Sequence, residues 1–123
     1  MQQLKWDTSV MDLSKLLEMG ADRPGLVERY LRQFADIVPG RIEKLELESA
    51  QQNRKAVRQI VHQMKPQLLF FGLPIPSGDF ELLQDTSIPL SGDGLSQLVA
   101  KVIGLLQAAL REINQLLQTH FTQ

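Results

Sequence analysis

The sequence predicts an all-α protein, an antiparallel four-helix bundle with a short extra N-terminal helix. Three long segments carry apolar residues at spacings of three and four, and no segment keeps the strict alternation of a half-buried strand. Pro, Gly and Ser gather in the short stretches between them. Helices of about 20–28 residues are about 30–40 Å long, and amphipathic rods of similar length joined by short breakers pack most readily as an antiparallel bundle. With 123 residues and no internal repeat or low-complexity tract, the chain reads as one domain, 1–123.

The first helix, about 12–19, faces the core with Leu13, Leu16 and Leu17 and ends at Gly20. Asp22 is the candidate N-cap and Pro24 the early-turn proline of a second helix, about 24–51. Its stripe is Val27, Tyr30, Leu31, Phe34, Ile37, Val38, Ile42 and Leu45. Pro39 removes a backbone donor from that run, which predicts a kink near residues 35–39 rather than two separate helices. Asn53 suits the N-cap of a third helix, about 53–71, with Val57, Ile60, Val61, Met64, Leu68 and Phe71 inward and Gly72 as its stop. The breaker-rich stretch 73–78 precedes an ambiguous short helix around 79–85, then a loop through Pro89 to Gly94. The last helix, about 95–120, repeats Leu98, Val99, Val102, Ile103, Leu106, Ala109, Leu110, Ile113, Leu116 and Leu117.

Composition narrows the function. The absence of cysteine removes disulfide frameworks, thiolate zinc sites and cysteine nucleophiles, and two histidines are too few for a metal hydrolase. Thirteen basic and 14 acidic side chains give a formal charge of −1, with no basic face for nucleic acid or an anionic membrane. The longest apolar run, 68–76, is broken by Gly72, Pro74 and Pro76, well short of the roughly 20 residues that span a bilayer. Lys5 and Asp7 stand where a secretory signal needs its apolar stretch, so a cytoplasmic protein is expected. Met1 and the lack of a linker lead to the expectation of a free-standing chain.

The chemically informative stretch is 54–72. At about 100° per residue, His62 projects about 150° from the centre of the apolar stripe, which sets it on the solvent side. Arg58 lies one turn before it, Lys65 and Pro66 one turn after, Lys55 and Gln59 at the margins, and Leu69 two turns on. Histidine titrates near pH ~6.5, so an exposed imidazole offers a ring nitrogen as a nucleophile at neutral pH. If it took a phosphoryl group, Lys65 could meet the added charge with a charge-assisted hydrogen bond. Pro66 has no N–H to give to the carbonyl of His62, which predicts a bend that exposes the imidazole and presents Leu69 and Phe70 beside it.

The run His62-Gln63-Met64-Lys65 followed by Gly72 resembles the histidine phosphotransfer (HPt) domain, whose motif places Lys three and Gly ten residues after the phosphorylated histidine. The similarity extends upstream through the run Leu16-Leu17-Glu18-Met19-Gly20 and the 34–45 segment, and covers roughly residues 10–73. Pro66 departs from it, standing where the family usually has a small residue, and the short segment before the last helix departs from the family's longer fourth helix. The resemblance implies a phosphorelay intermediate of two-component signalling. His62 would be the phosphoryl acceptor, Lys65 would stabilise the phosphate, and Gly72 would be a structural residue of the motif. Arg58, Gln59, Pro66, Leu69 and Phe70 would meet the partner. It further implies a monomeric carrier rather than an enzyme, with no ATP site and no cofactor or metal of its own, since the divalent metal belongs to the partner. The partners would be receiver domains of response regulators or hybrid histidine kinases, not nucleic acid or membrane. The alternative is a helical interaction module that binds receiver or kinase domains while His62 stays unphosphorylated.

Other features have plainer readings. His120 complements the carbonyl end of the last helix, the Gly92-Asp93-Gly94 loop is a turn and helix start without the glycines and lysine of a phosphate loop, and Asp79, Glu81 and Asp85 form a solvated acidic face.

Overall fold

The computed structural model describes residues 8–121. These residues form five helices: α1 (Ser14–Met19), α2 (Pro24–Ala50), α3 (Arg54–Phe70), α4 (Ser77–Gln84) and α5 (Gly92–His120). No strand occurs among the described residues. No helix among them is long and apolar enough to cross a membrane. α2 packs along both α5 and α3, and α4 packs along α3.

The apolar stripes make the core. Leu31, Phe34, Val38 and Leu45 of α2 meet Val57, Val61, Met64 and Leu68 of α3 and Val99, Val102, Leu106 and Ile113 of α5, all buried. Each such side chain contributes about 1.5–3 kcal/mol by leaving water. Phe71 closes one end, its ring 4.6 Å from that of Phe34 in an edge-on contact.

The helix ends follow local chemistry. Asn53 accepts from the N–H of Ala56, and Ser91 from that of Gly94, so two starts are capped by side chains. At α2 the expected Asp22 cap is not formed. Pro24 takes the first helical position, and Arg23 becomes an N-cap without a side-chain bond. α2 runs through Pro39 and α3 through Pro66 as continuous helices. Both prolines are exposed, on the side where water can satisfy the carbonyl each leaves without its helical donor.

Gly72 has two reasons to be glycine. It ends α3 at φ +61°, with its N–H on Leu69 O and that of Leu73 on Leu68 O, the paired bonds of a Schellman stop. A Cβ there would also lie 2.4 Å from the carbonyl oxygen of Asp12, because the segment before α1 crosses at that point and Asp12 N–H donates to Gly72 O. That segment is tied to α5 as well. The Glu112 carboxylate accepts from the N–H groups of Ser9, Val10 and Met11 and from the Ser9 hydroxyl.

Candidate functional site

His62 stands on the exposed face of α3, opposite the buried Val57, Ile60, Val61, Met64 and Leu68, as its angular position requires. α4 returns alongside that face in the opposite direction. Phe80 lies against Lys65, Gln84 against His62 and Arg58, and the residues beyond Gln84 against Arg54.

Arginines of α3 hold α4 in place. The C-terminal carbonyls of a helix lack partners within it. Arg54 reaches those of Leu82 and of the C-cap Asp85, both at 3.0 Å, and also the carbonyls of Thr86 and Ile88 in the loop beyond. Arg58 Nε donates to Gln84 O at 2.8 Å. At the other end of α4, Asp79 pairs with Lys101 of α5 at 2.7 Å. Asp79 and Asp85 are thus not merely a solvated acidic face. Asp79 anchors α4. The Asp85 carboxylate accepts from the hydroxyl and N–H of Ser87, which hold its pKa below the ordinary value, with the charges of Arg54 and Arg58 adding to the effect.

The imidazole faces a side-chain amide. His62 Nδ1 lies 3.3 Å from Gln84 Oε1. An amide oxygen only accepts, so this contact is a hydrogen bond when Nδ1 carries the proton, and the lone pair then resides on Nε2. Gln84 Nε2 is buried without a partner, which leaves Oε1 as the bonded end of the amide. Lys65 projects from the same face, and its ammonium lies 5.6 Å from the centroid of the Phe80 ring.

The remaining expected site residues surround this pair. Arg58 is half-buried and bonded to α4, so it supports the site from beneath as well as bordering it. With Arg54, Lys55, Glu81 and Gln84 it lines a cleft of about 600 Å³. Gln59 and Pro66 are exposed, and Leu69 retains 54% of its surface. Phe70 is half-covered, its ring 5.7 Å from those of Tyr30 and Phe71. Together with Met19, Tyr30 and Pro66 it lines an apolar groove of about 360 Å³. Gly72 lies under the segment that precedes α1, in a structural position. Gln84 and Phe80 carry no signal in the sequence, because nothing local marks either residue and both gain meaning only when α4 folds back on α3. No family model, curated protein or solved structure matches this chain.

Proposed function

We propose that the chain is a histidine phosphotransfer protein, the intermediate of a phosphorelay. In this reading the helices form an antiparallel four-helix bundle with α1 as the short extra helix, and the protein works in the cytoplasm as a monomer. His62 accepts a phosphoryl group from the phospho-aspartate of one receiver domain and passes it to an aspartate of another. One observation carries the reading: an exposed imidazole whose Nδ1 meets an amide oxygen, in a motif with Lys65 one turn on.

The chemistry follows from that contact. The Nε2 lone pair attacks phosphorus, an N–P bond forms, and the P–O bond to the receiver aspartate breaks, its electrons leaving with the carboxylate. Nδ1 keeps its proton, and Gln84 Oε1 accepts it more strongly as the ring becomes positive. Lys65 bonds the phosphoryl oxygens. The second transfer reverses the first on another receiver. The receiver supplies the acidic pocket and divalent metal, so the chain acts as a carrier without an ATP site or cofactor. Arg58, Gln59, Pro66, Leu69 and Phe70 form the surface that the receiver covers during exchange.

The test is label transfer from a phosphorylated receiver. The wild-type chain takes up acid-labile, alkali-stable phosphate and the His62→Gln variant takes none. Equal labelling of the two proteins overturns the proposal. A wild-type chain that binds receivers yet stays unlabelled identifies the non-phosphorylated interaction module instead.

A further inference from the structure

We propose that Phe80 is a positioning residue for Lys65, its ring holding the ammonium one turn beyond His62 until a phosphoryl group arrives. The inference rests on the phosphocarrier reading above. A lysine ammonium within about 6 Å of an aromatic centroid is drawn to the ring face, and here the separation is 5.6 Å. The register supports the pairing. Phe80 and Gln84 are one turn apart on α4, and they meet Lys65 and His62, nearly one turn apart on α3.

The ring is fixed in place. Asp79, its neighbour in sequence, is tied to Lys101 of α5, while Arg54 and Arg58 hold the far end of α4. Phe80 itself is half-buried against the core. The stem of Lys65 is long and flexible, and an ammonium on an exposed lysine otherwise spreads over many rotamers.

A ring suits this task better than a carboxylate. An acid would neutralise the ammonium and compete with the incoming phosphate, whereas an aromatic face orients the cation and leaves its charge in place. The attraction is weaker than a charge-assisted hydrogen bond, so the ammonium moves from ring to phosphoryl oxygen once the phosphate is there. Of the two acids that adjoin Phe80 in sequence, Asp79 is already engaged by Lys101, and Glu81 lines the cleft with Arg54 and Arg58.

The experiment follows labelling of His62 by phosphoramidate, whose P–N bond breaks with release of ammonia, in the full chain. Phe80→Leu keeps apolar bulk without the aromatic face, and Phe80→Tyr keeps the ring. Expected are a loss of about threefold in labelling rate for Phe80→Leu, recovery in Phe80→Tyr, and no effect of Phe80→Leu when Lys65→Ala is already present. In the unphosphorylated wild-type protein, the methylene protons of Lys65 next to the ammonium show an upfield ring-current shift. The role of Phe80 is overturned by a wild-type rate in Phe80→Leu, by an equal loss in the Lys65→Ala background, or by the absence of that shift. Should Phe80→Leu fail to fold, the shift and the Phe80→Tyr rate still decide. A wild-type chain that takes no label from phosphoramidate or receiver overturns the phosphocarrier reading and this role with it, whereas label on wild type with Phe80→Leu unaffected overturns this role alone.

Discussion

At the scale of single residues, Gln84 has the least replaceable chemistry around the imidazole. A neutral imidazole in water divides between two tautomers, and only the one protonated at Nδ1 leaves Nε2 as the nucleophile. Gln84 Oε1 favours that tautomer from 3.3 Å, a long contact that should shorten as the ring gains charge. Replacing the amide with Leu removes the acceptor and also the buried, unpartnered Nε2. A net hydrogen bond is worth about 1 kcal/mol, so Gln84→Leu should slow phosphoramidate labelling of His62 about fivefold. Stability should stay level or rise, because a buried donor without a partner is removed with it. Rates from labelling, tautomer populations from imidazole nitrogen shifts and urea midpoints separate the two effects. A rate loss that merely follows a loss of stability would assign Gln84 to packing.

At the scale of elements, the segment before α1 has the clearest electrostatic control. Burial pushes the Glu112 carboxyl up, but hydrogen bonds from Ser9, Val10 and Met11 outweigh it and hold the pKa below the ordinary 4.5. A depressed folded-state pKa gives stability that is fully present above the unfolded value and is lost as pH falls through the folded one. Glu112→Gln should therefore lower stability at pH 7, by about 0.5 kcal/mol since water screens the partly exposed carboxylate, and the gap from wild type should narrow progressively below about pH 4.5. Urea midpoints across that range check it, and a gap independent of pH would mean the carboxylate charge is irrelevant. The long helices themselves were legible from local pattern. The stripes of α2, α3 and α5 follow the helical period, Asn53 caps where expected, and Gly72 stops α3 where expected. Asp22 misled because Pro24, two residues on, fixed the first helical position. The eight residues of α4 lie between Pro76 and Pro89, and their pattern announces breaks more than a helix. What gives α4 its place is distant in sequence: Arg54, Arg58 and Lys101. Hence the exposed placement of His62 and Lys65 on one face of α3 could be read from spacing, while the approach of Gln84 and Phe80, a tertiary contact, could not.

At the scale of the whole molecule, the proposed phosphocarrier would have to separate its chemistry from its docking, since in that reading the same histidine serves more than one partner. Long-range attraction offers little help, for a formal charge of −1 gives almost no steering field. Contact surface must then do more. Among the described residues the large apolar side chains left exposed are Met19, Leu47 and Leu69, at 42%, 55% and 54%. Met19 lines the groove with Tyr30, Pro66 and Phe70, and Leu69 precedes Phe70 on the helix of His62, two turns along. Small transient interfaces centre on such apolar residues, and one exposed anchor can be worth about 1–2 kcal/mol. Leu69→Asp should leave stability within about 0.5 kcal/mol of wild type, because the side chain is mostly in water already. It should also leave labelling by phosphoramidate unchanged, because the small donor needs only His62 and its immediate neighbours. Transfer from a phosphorylated receiver should fall about tenfold, the loss of one contact at the interface centre. Leu47→Asp, equally exposed on α2, is the control and should alter neither rate. Equal slowing of both reactions by Leu69→Asp would place Leu69 in the local structure of the site, and an unchanged receiver rate would move the docking surface elsewhere on the molecule.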